Sequence, residues 1–202
     1  MRLIVGIGNP GTEYDRTRHN VGFEAIDRLS RRIAPGEVAR SRFQAGVIET
    51  RLGDEKVLLL KPLTFVNRSG QTVSEAVRFY KLDPESDLLV LVDDTALPCG
   101  RVRVRETGGT GGHNGLRDIS AKLGTDQWAR VRIGIDGPGE IPLSSYVLGR
   151  FRPDQQDAVD QGIEQAVEAA NCWINRGITA AMNAFNADRE QSSSPEETNK
   201  NV

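Results

Sequence analysis

Hydrophobic positions in this chain follow two spacings. Leu3-Ile4-Val5 and Leu88-Leu-Val-Leu-Val92 are unbroken apolar runs, the pattern of strands buried on both faces. Val21, Phe23, Ile26, Leu29 and Ile33 recur at helical spacing, which predicts a helix over 21–33 with Asn20 as its N-cap and Pro35-Gly36 as its stop. Residues 43–50 and 56–60 read as a hairpin around Gly53-Asp54, and Pro62 ends its second strand. Val73, Ala76, Val77 and Tyr80 share one face of a helix over 71–80. The run 88–92 delivers Asp93-Asp94 at its carboxyl end.

Further along, Arg101-Val-Arg-Val-Arg105 alternates strictly, so its arginines share one strand face. Val131, Ile133 and Ile135 alternate with Arg130 and Arg132 in the same way. Between these strands lie a Gly-rich loop over 107–112 and a short helix over 115–123. Pro153 suits the first turn of a long helix to about Ile174, and a last short helix follows Gly177. From Asp188 onward the chain is polar and aperiodic, and a disordered tail over 188–202 is expected. Interleaved strands and helices with a hairpin predict an α/β fold. It should be a single domain over 1–187, a mixed twisted β-sheet flanked by helices.

Composition narrows the function classes. A chain of 202 residues can bury a sizeable core. No apolar run reaches membrane-span length and no signal-like segment precedes the first strand, so a cytoplasmic protein with no membrane partner is expected. Cys99 and Cys172 are far apart and belong to no Cys/His cluster, so neither a disulfide nor a metal is expected. The net charge of -2 gives no bulk attraction for nucleic acid, so any such partner needs a local basic face.

The segment Leu3–Asn20, LIVGIGNPGTEYDRTRHN, is where the chemistry concentrates. Gly6-Ile-Gly8-Asn-Pro-Gly11 matches a dinucleotide fingerprint literally, but that fingerprint needs a helix to start inside its glycines. Here the periodic segment starts only at Val21, and no acidic residue closes a second strand. His19 and His113 are the two histidines, each followed by asparagine. Each could equally be a loop residue with a structural hydrogen bond. Asn9, Asp93 and Asn114 all lie at or just past a strand end, so they could converge with His19 at one edge of the sheet. That set suits hydrolysis by activated water: a histidine base, a carboxylate on its second nitrogen, and amides for an oxyanion. No G-x-S-x-G elbow supports a serine nucleophile.

Five segments together resemble the bacterial peptidyl-tRNA hydrolase family. They are LIVGIGNPGTEYDRTRHNVG, KPLTFVNRSG, VDD with the following LPCG, GGTGGHNGLRDI and RVRIGI, in the family's order from Leu3 to about Phe185. The resemblance implies a cofactor-free, metal-free enzyme that hydrolyses the ester joining a peptide to the 3′ end of tRNA. Its partner would be peptidyl-tRNA, through acceptor arm and nascent peptide, and it would act as a monomer. By position, His19 matches the catalytic base and Asp93 the acid that orients it. Asn9 matches the residue that separates N-blocked from free aminoacyl substrates, with its amide oxygen expected to accept the peptide N–H. Tyr14, Phe65, Asn67 and Asn114 match positions that contact the tRNA end or the peptide, and Arg105 and Arg132 match basic residues for tRNA phosphate. Val66 stands where the family usually has methionine, and Thr95-Ala96 replaces a more acidic-apolar pair. Plant proteins that resemble the family and serve RNA splicing give a second reading, a binding module that retains the site residues.

Overall fold

In the computed structural model, which describes residues 1–187, seven strands form one mixed sheet. The elements run β1 (Arg2–Gly6), α1 (Val21–Ile33), β2 (Arg40–Arg42), β3 (Ala45–Leu52), β4 (Glu55–Pro62), α2 (Ser69–Tyr80), α3 (Pro84–Asp87) and β5 (Leu88–Asp94). They continue with β6 (Val102–Arg105), α4 (Asn114–Leu123), β7 (Ala129–Gly134), α5 (Leu143–Val147) and α6 (Gln156–Phe185). The strand order is β2-β3-β4-β1-β5-β7-β6. β1 lies parallel to both neighbours, with Arg2 opposite Val57 and Leu3 opposite Leu88. β5 and β7 are also parallel, whereas β2, β3 and β6 run antiparallel to their partners. The expected mixed α/β sheet is what forms. The tail over 188–202 lies outside the described residues.

Strand alternation splits the core into two layers. Ile4, Leu59, Leu89, Leu91, Val131 and Ile133 point toward α1 and α6. Leu3, Val5, Leu58, Leu60, Val90 and Val92 point toward α2 and α4. The connection from β1 leads through α1 to one side of the sheet, and the connection from β5 leads to the other. The carboxyl ends of β1 and β5 therefore flank a topological switch point, where open α/β sheets place their ligand crevice. Two glycines press α1 onto that point. A methyl on Gly22 would stand 2.5 Å from the carbonyl oxygens of Ile7 and Leu91, and one on Gly6 would stand 2.2 Å from the Gly22 carbonyl oxygen. Only glycine lets the first turn of α1 approach both strand backbones so closely, and that turn directly follows His19.

Several expectations change in detail. The helix over 21–33 has the bounds its periodicity predicts. Asn20 occupies the cap position, but its side chain makes no capping bond and turns to Asn9 instead. Phe43 does not begin a strand: Phe43 and Gln44 both have positive φ, 54° and 55°, and make the two-residue turn between β2 and β3. That geometry favours Asn-Gly, so Phe-Gln gives no turn signal. The three-residue β2 is polar and sits at the sheet edge, which hides it from hydrophobic patterning. α6 is interrupted at Gly177, whose φ of 81° separates the long helix from the short one that follows.

Candidate active site

Asp93 ends the central strand β5 and is buried. A 3-10 turn, Arg18–Asn20, brings His19 to it from the α1 side. His19 Nδ1 lies 2.9 and 3.0 Å from the two carboxylate oxygens. His113 reaches the same carboxylate from the other layer, with Nε2 3.0 Å from Oδ1. The two imidazole centroids are 4.9 Å apart. The sequence treats His113 as a loop histidine of either role. The structure makes it the N-cap of α4, its Nδ1 accepting from the backbone N–H groups of Gly115 and Leu116. The signal that could have found it is a histidine directly before a helix, in the position Ser or Asp usually takes.

Those bonds fix the protons. A backbone N–H can only donate, so His113 Nδ1 is bare and its ring proton sits on Nε2, aimed at Asp93. Burial by itself would raise the Asp93 pKa, but the two histidines and their hydrogen bonds reverse this and hold it well below the usual carboxylate range. Asp93 is therefore ionised and accepts from His19 Nδ1–H. Neutral His19 then carries its lone pair on Nε2, which has no protein partner among the described residues. Burial lowers the His19 pKa, while the Asp93 charge and hydrogen bond outweigh it and leave it above 6.5.

His19, Asp93 and His113 are also a metal-like set, with their ligand atoms within 4.8 Å of one another. Their hydrogen bonds argue against that use. A metal on His113 Nε2 would drive the proton to Nδ1, against two backbone N–H donors.

A groove crosses this centre. One arm, about 320 Å³, is lined by Asp94, Thr110, Gly111, Gly112, Arg132 and Leu143. The other is lined by Asn9, Tyr14, Phe65, Asn67, Arg68 and Leu148. His19, Asn114, Ser144 and Val147 belong to both, so His19 stands at the junction. The Tyr14 and Phe65 rings meet edge to face at 6.2 Å. Asn9 is clamped by Asn20, whose Oδ1 accepts from Asn9 N–H and whose Nδ2 donates to Asn9 O. Its own Oδ1 accepts from Val66 N–H at 3.0 Å, which leaves Nδ2 as the group to offer a ligand. Asn114 Oδ1 accepts from Arg117 Nη2 at 2.7 Å, again leaving the amide nitrogen.

The arginine-bearing strands behave differently from one another. Arg103 pairs with Arg132 and Arg105 with Arg130 across β6 and β7, so the two alternating sets share one sheet face rather than two. Arg130 is buried, stacks on Trp128 at 3.8 Å and donates to the carbonyls of Gly108, Asp126 and Trp128. Burial and the neighbouring Arg132 charge push its pKa down to about 10. Arg132 donates to Gly109 O at 3.3 Å and pairs with Asp94 at 3.2 Å. Arg105 is exposed at the end of β6. Of the residues singled out from the sequence, His19, Asp93, Asn9, Tyr14, Phe65, Asn67, Asn114 and Arg132 lie along one groove, while Arg105 lines neither arm. The sequence misses His113, Asp94 and α5, whose Leu143, Ser144 and Val147 form the groove's outer wall.

Known proteins share this arrangement of chain. A sequence profile for a family described as peptidyl-tRNA hydrolase matches residues 3–194. The peptidyl-tRNA hydrolase of Rhodopirellula baltica is 47% identical over 188 residues, covering 93% of this chain and 98% of its own. That of Halalkalibacterium halodurans is 45% identical, covering 92% and 100%. The crystal structure of the Acinetobacter baumannii peptidyl-tRNA hydrolase superposes with a TM-score of 0.86 at 36% identity, covering 93% of this chain and 95% of that one. The profile spans nearly the whole chain, and the relatives align over almost their full lengths: the chain belongs to the peptidyl-tRNA hydrolase family.

Proposed function

We propose that the chain hydrolyses the ester between peptide and tRNA in peptidyl-tRNA, releasing tRNA for reuse, by a water that His19 activates. The observation that carries this reading is the unpartnered Nε2 of His19 at the junction of the two arms, with Nδ1 committed to Asp93. Nε2 takes a proton as the water oxygen bonds to the ester carbonyl, and Asp93 stabilises the imidazolium that forms. The freed amide nitrogen of Asn114 suits the developing oxyanion, with the Asn67 amide available in the same groove. The intermediate collapses when the ester C–O bond breaks and the proton passes from His19 to the departing 3′ oxygen. The products are a tRNA hydroxyl and a peptide carboxylic acid, which ionises by giving its proton to solvent. The arm with Tyr14, Phe65 and Leu148 suits the peptide, and the arm with Gly111, Gly112 and Arg132 suits the 3′ end of the tRNA. Both arms come from a single chain, which suits a monomer; we place it in the cytoplasm, where its substrate is made. No metal is required, and no helix among the described residues is long and apolar enough to cross a membrane.

The direct test is release of peptide from N-acetyl-aminoacyl-tRNA by purified protein, with and without a chelator. Release in both conditions is expected. A folded protein that binds the substrate without cleaving it would favour the binding-module reading, and loss of activity in chelator would overturn the metal-free one.

Asn9 gives a test of selectivity. With Oδ1 occupied by Val66 N–H, the group left for substrate is the donor Nδ2, which fits a peptide carbonyl rather than the peptide N–H expected from sequence. A free aminoacyl ester lacks that preceding carbonyl. Asn9→Asp keeps the acceptor and removes the donor, so it should lose rate on N-acetylated substrate and little on the free aminoacyl ester; equal losses would remove the selectivity role.

Arg105 and Arg132 are proposed to hold tRNA phosphate. Neutralising either should reduce the salt slope of binding by about one and raise KM on full-length substrate. Arg132 would exchange the Asp94 carboxylate for phosphate, whereas Arg105 is exposed. The larger affinity loss is therefore expected for Arg105→Gln. Wild-type salt dependence in both variants would move the phosphate contact elsewhere.

A further inference from the structure

The residue before the base has no place in the chemistry above, yet its guanidinium is buried beside the site and bonded to a single segment of chain. Arg18 is only 5% exposed. Its backbone N–H donates to Gly149 O at 3.0 Å. Its Nη1 donates to Arg150 O at 2.8 Å and to Tyr146 O at 3.4 Å, and its Nη2 to Gln155 Oε1 at 3.0 Å. The guanidinium lies 4.3 Å from the centre of the Tyr146 ring and 5.2 Å from that of Phe151. Among the described residues no carboxylate meets it directly. The nearest reached through a bond is Asp136, which accepts from Gln155 Nε2 at 2.7 Å and from Cys99 N–H at 2.8 Å. Thr17 bridges to Arg150 alongside.

All these partners fall in one stretch, 146–155, which begins inside α5. That helix presents Leu143, Ser144 and Val147 to the groove, and Leu148 follows. From α5 itself, Tyr146 Oη donates to Ile135 O just past β7. Every bonded donor of this guanidinium goes to a carbonyl of the segment that faces the base across the groove, and a planar fork suits several such acceptors at once.

We infer that Arg18 is a positioning residue that locks the α5 wall to the turn carrying His19, so that base and wall hold a fixed separation around the scissile ester. This rests on the hydrolase reading of the groove. A lysine keeps the charge but has neither the forked geometry nor the planar face to stack on Tyr146. Arg18→Lys should therefore free the wall without removing the base. The His19–Asp93 bonds are untouched, so the titration of the base should stay in place.

The test compares wild type with Arg18→Lys on N-acetyl-aminoacyl-tRNA, and follows amide hydrogen exchange over 141–150 without substrate. Faster exchange in that stretch is expected, together with a KM raised about 10–10²-fold, the scale of a small misplacement far from the bond broken, and an unmoved pH midpoint. Gln155→Met removes one acceptor of the fork and should shift exchange and KM in the same direction by less; it carries the test if Arg18→Lys does not fold. Unchanged exchange and KM in the folded variants would overturn the inference, as would a moved pH midpoint, which would mean that Arg18 acts on the base itself. Failure of the wild-type enzyme to cleave would instead overturn the hydrolase reading, and the exchange result would still stand or fall alone.

Discussion

Turnover on peptidyl-tRNA falls by about 10²–10⁴-fold when His19 is replaced by alanine, the contribution expected of a positioned general base. The loss should appear in kcat, because Nε2 acts on the water and the substrate is gripped by the two arms of the groove. His19 lies in a 3-10 turn outside the two apolar layers, so the variant should fold. Circular dichroism and tRNA binding would establish that. A folded, tRNA-binding His19→Ala protein with undiminished kcat would remove His19 from the reaction.

Asp93→Asn is expected to cut kcat by about 10²-fold or more, because an amide neither fixes the tautomer of the base nor stabilises its imidazolium as a carboxylate does. Its signature is in the pH profile. His19 works as a base only when neutral, so the wild-type rate should climb with pH through a midpoint above 6.5, the Asp93 charge having raised it. Without that charge the remaining influence is burial, which lowers the midpoint. The rising limb should therefore move to lower pH as the plateau drops. A plateau that falls with the midpoint unmoved would show that Asp93 acts without touching the base.

The same pair makes opposite demands on folding. The Asp93 pKa is depressed in the folded protein, so its contribution to stability is complete above its ordinary value of 3.8 and is lost as pH falls through the lower folded value. The His19 pKa is raised, so its contribution is complete below 6.5 and is lost as pH rises through the folded value. The pH that favours catalysis therefore lies above the range in which the pair most favours the fold.

What the chain revealed and concealed follows from how each feature is built. The buried strands and α1 are strong patterns because burial on one or both sides leaves no freedom in residue type, and α1 has the bounds its spacing implies. Asp93 was legible because it ends such a strand. His113 was legible only as a possible cap directly before a helix, since nothing in a Gly-rich loop says that its other ring nitrogen turns to Asp93. The arginines show the limit of alternation. Spacing places Arg130 and Arg132 on one face, but only the antiparallel register shows that Arg103 and Arg105 share it. Only packing on Trp128 shows that Arg130 is internal. α5 is too short and too mixed to leave a periodic signal, and it is tied beside the groove by a bond from Arg18, far away in sequence.

Because β1 is flanked by Val57–Leu60 on one side and Leu88–Leu91 on the other, neither of its edges is paired until strands far along the chain exist. A growing chain that has just left the ribosome carries β1 as an apolar segment with both edges open, and no local hairpin can close them. Parallel pairings across such separations form slowly, since the intervening loop must close before any contact repays it. His19 and Asp93 are 74 residues apart, so the proton relay cannot exist in a nascent chain that stops short of β5. A copy interrupted before β5 therefore lacks the relay and leaves an edge of β1 open, the kind of exposed apolar strand that aggregates.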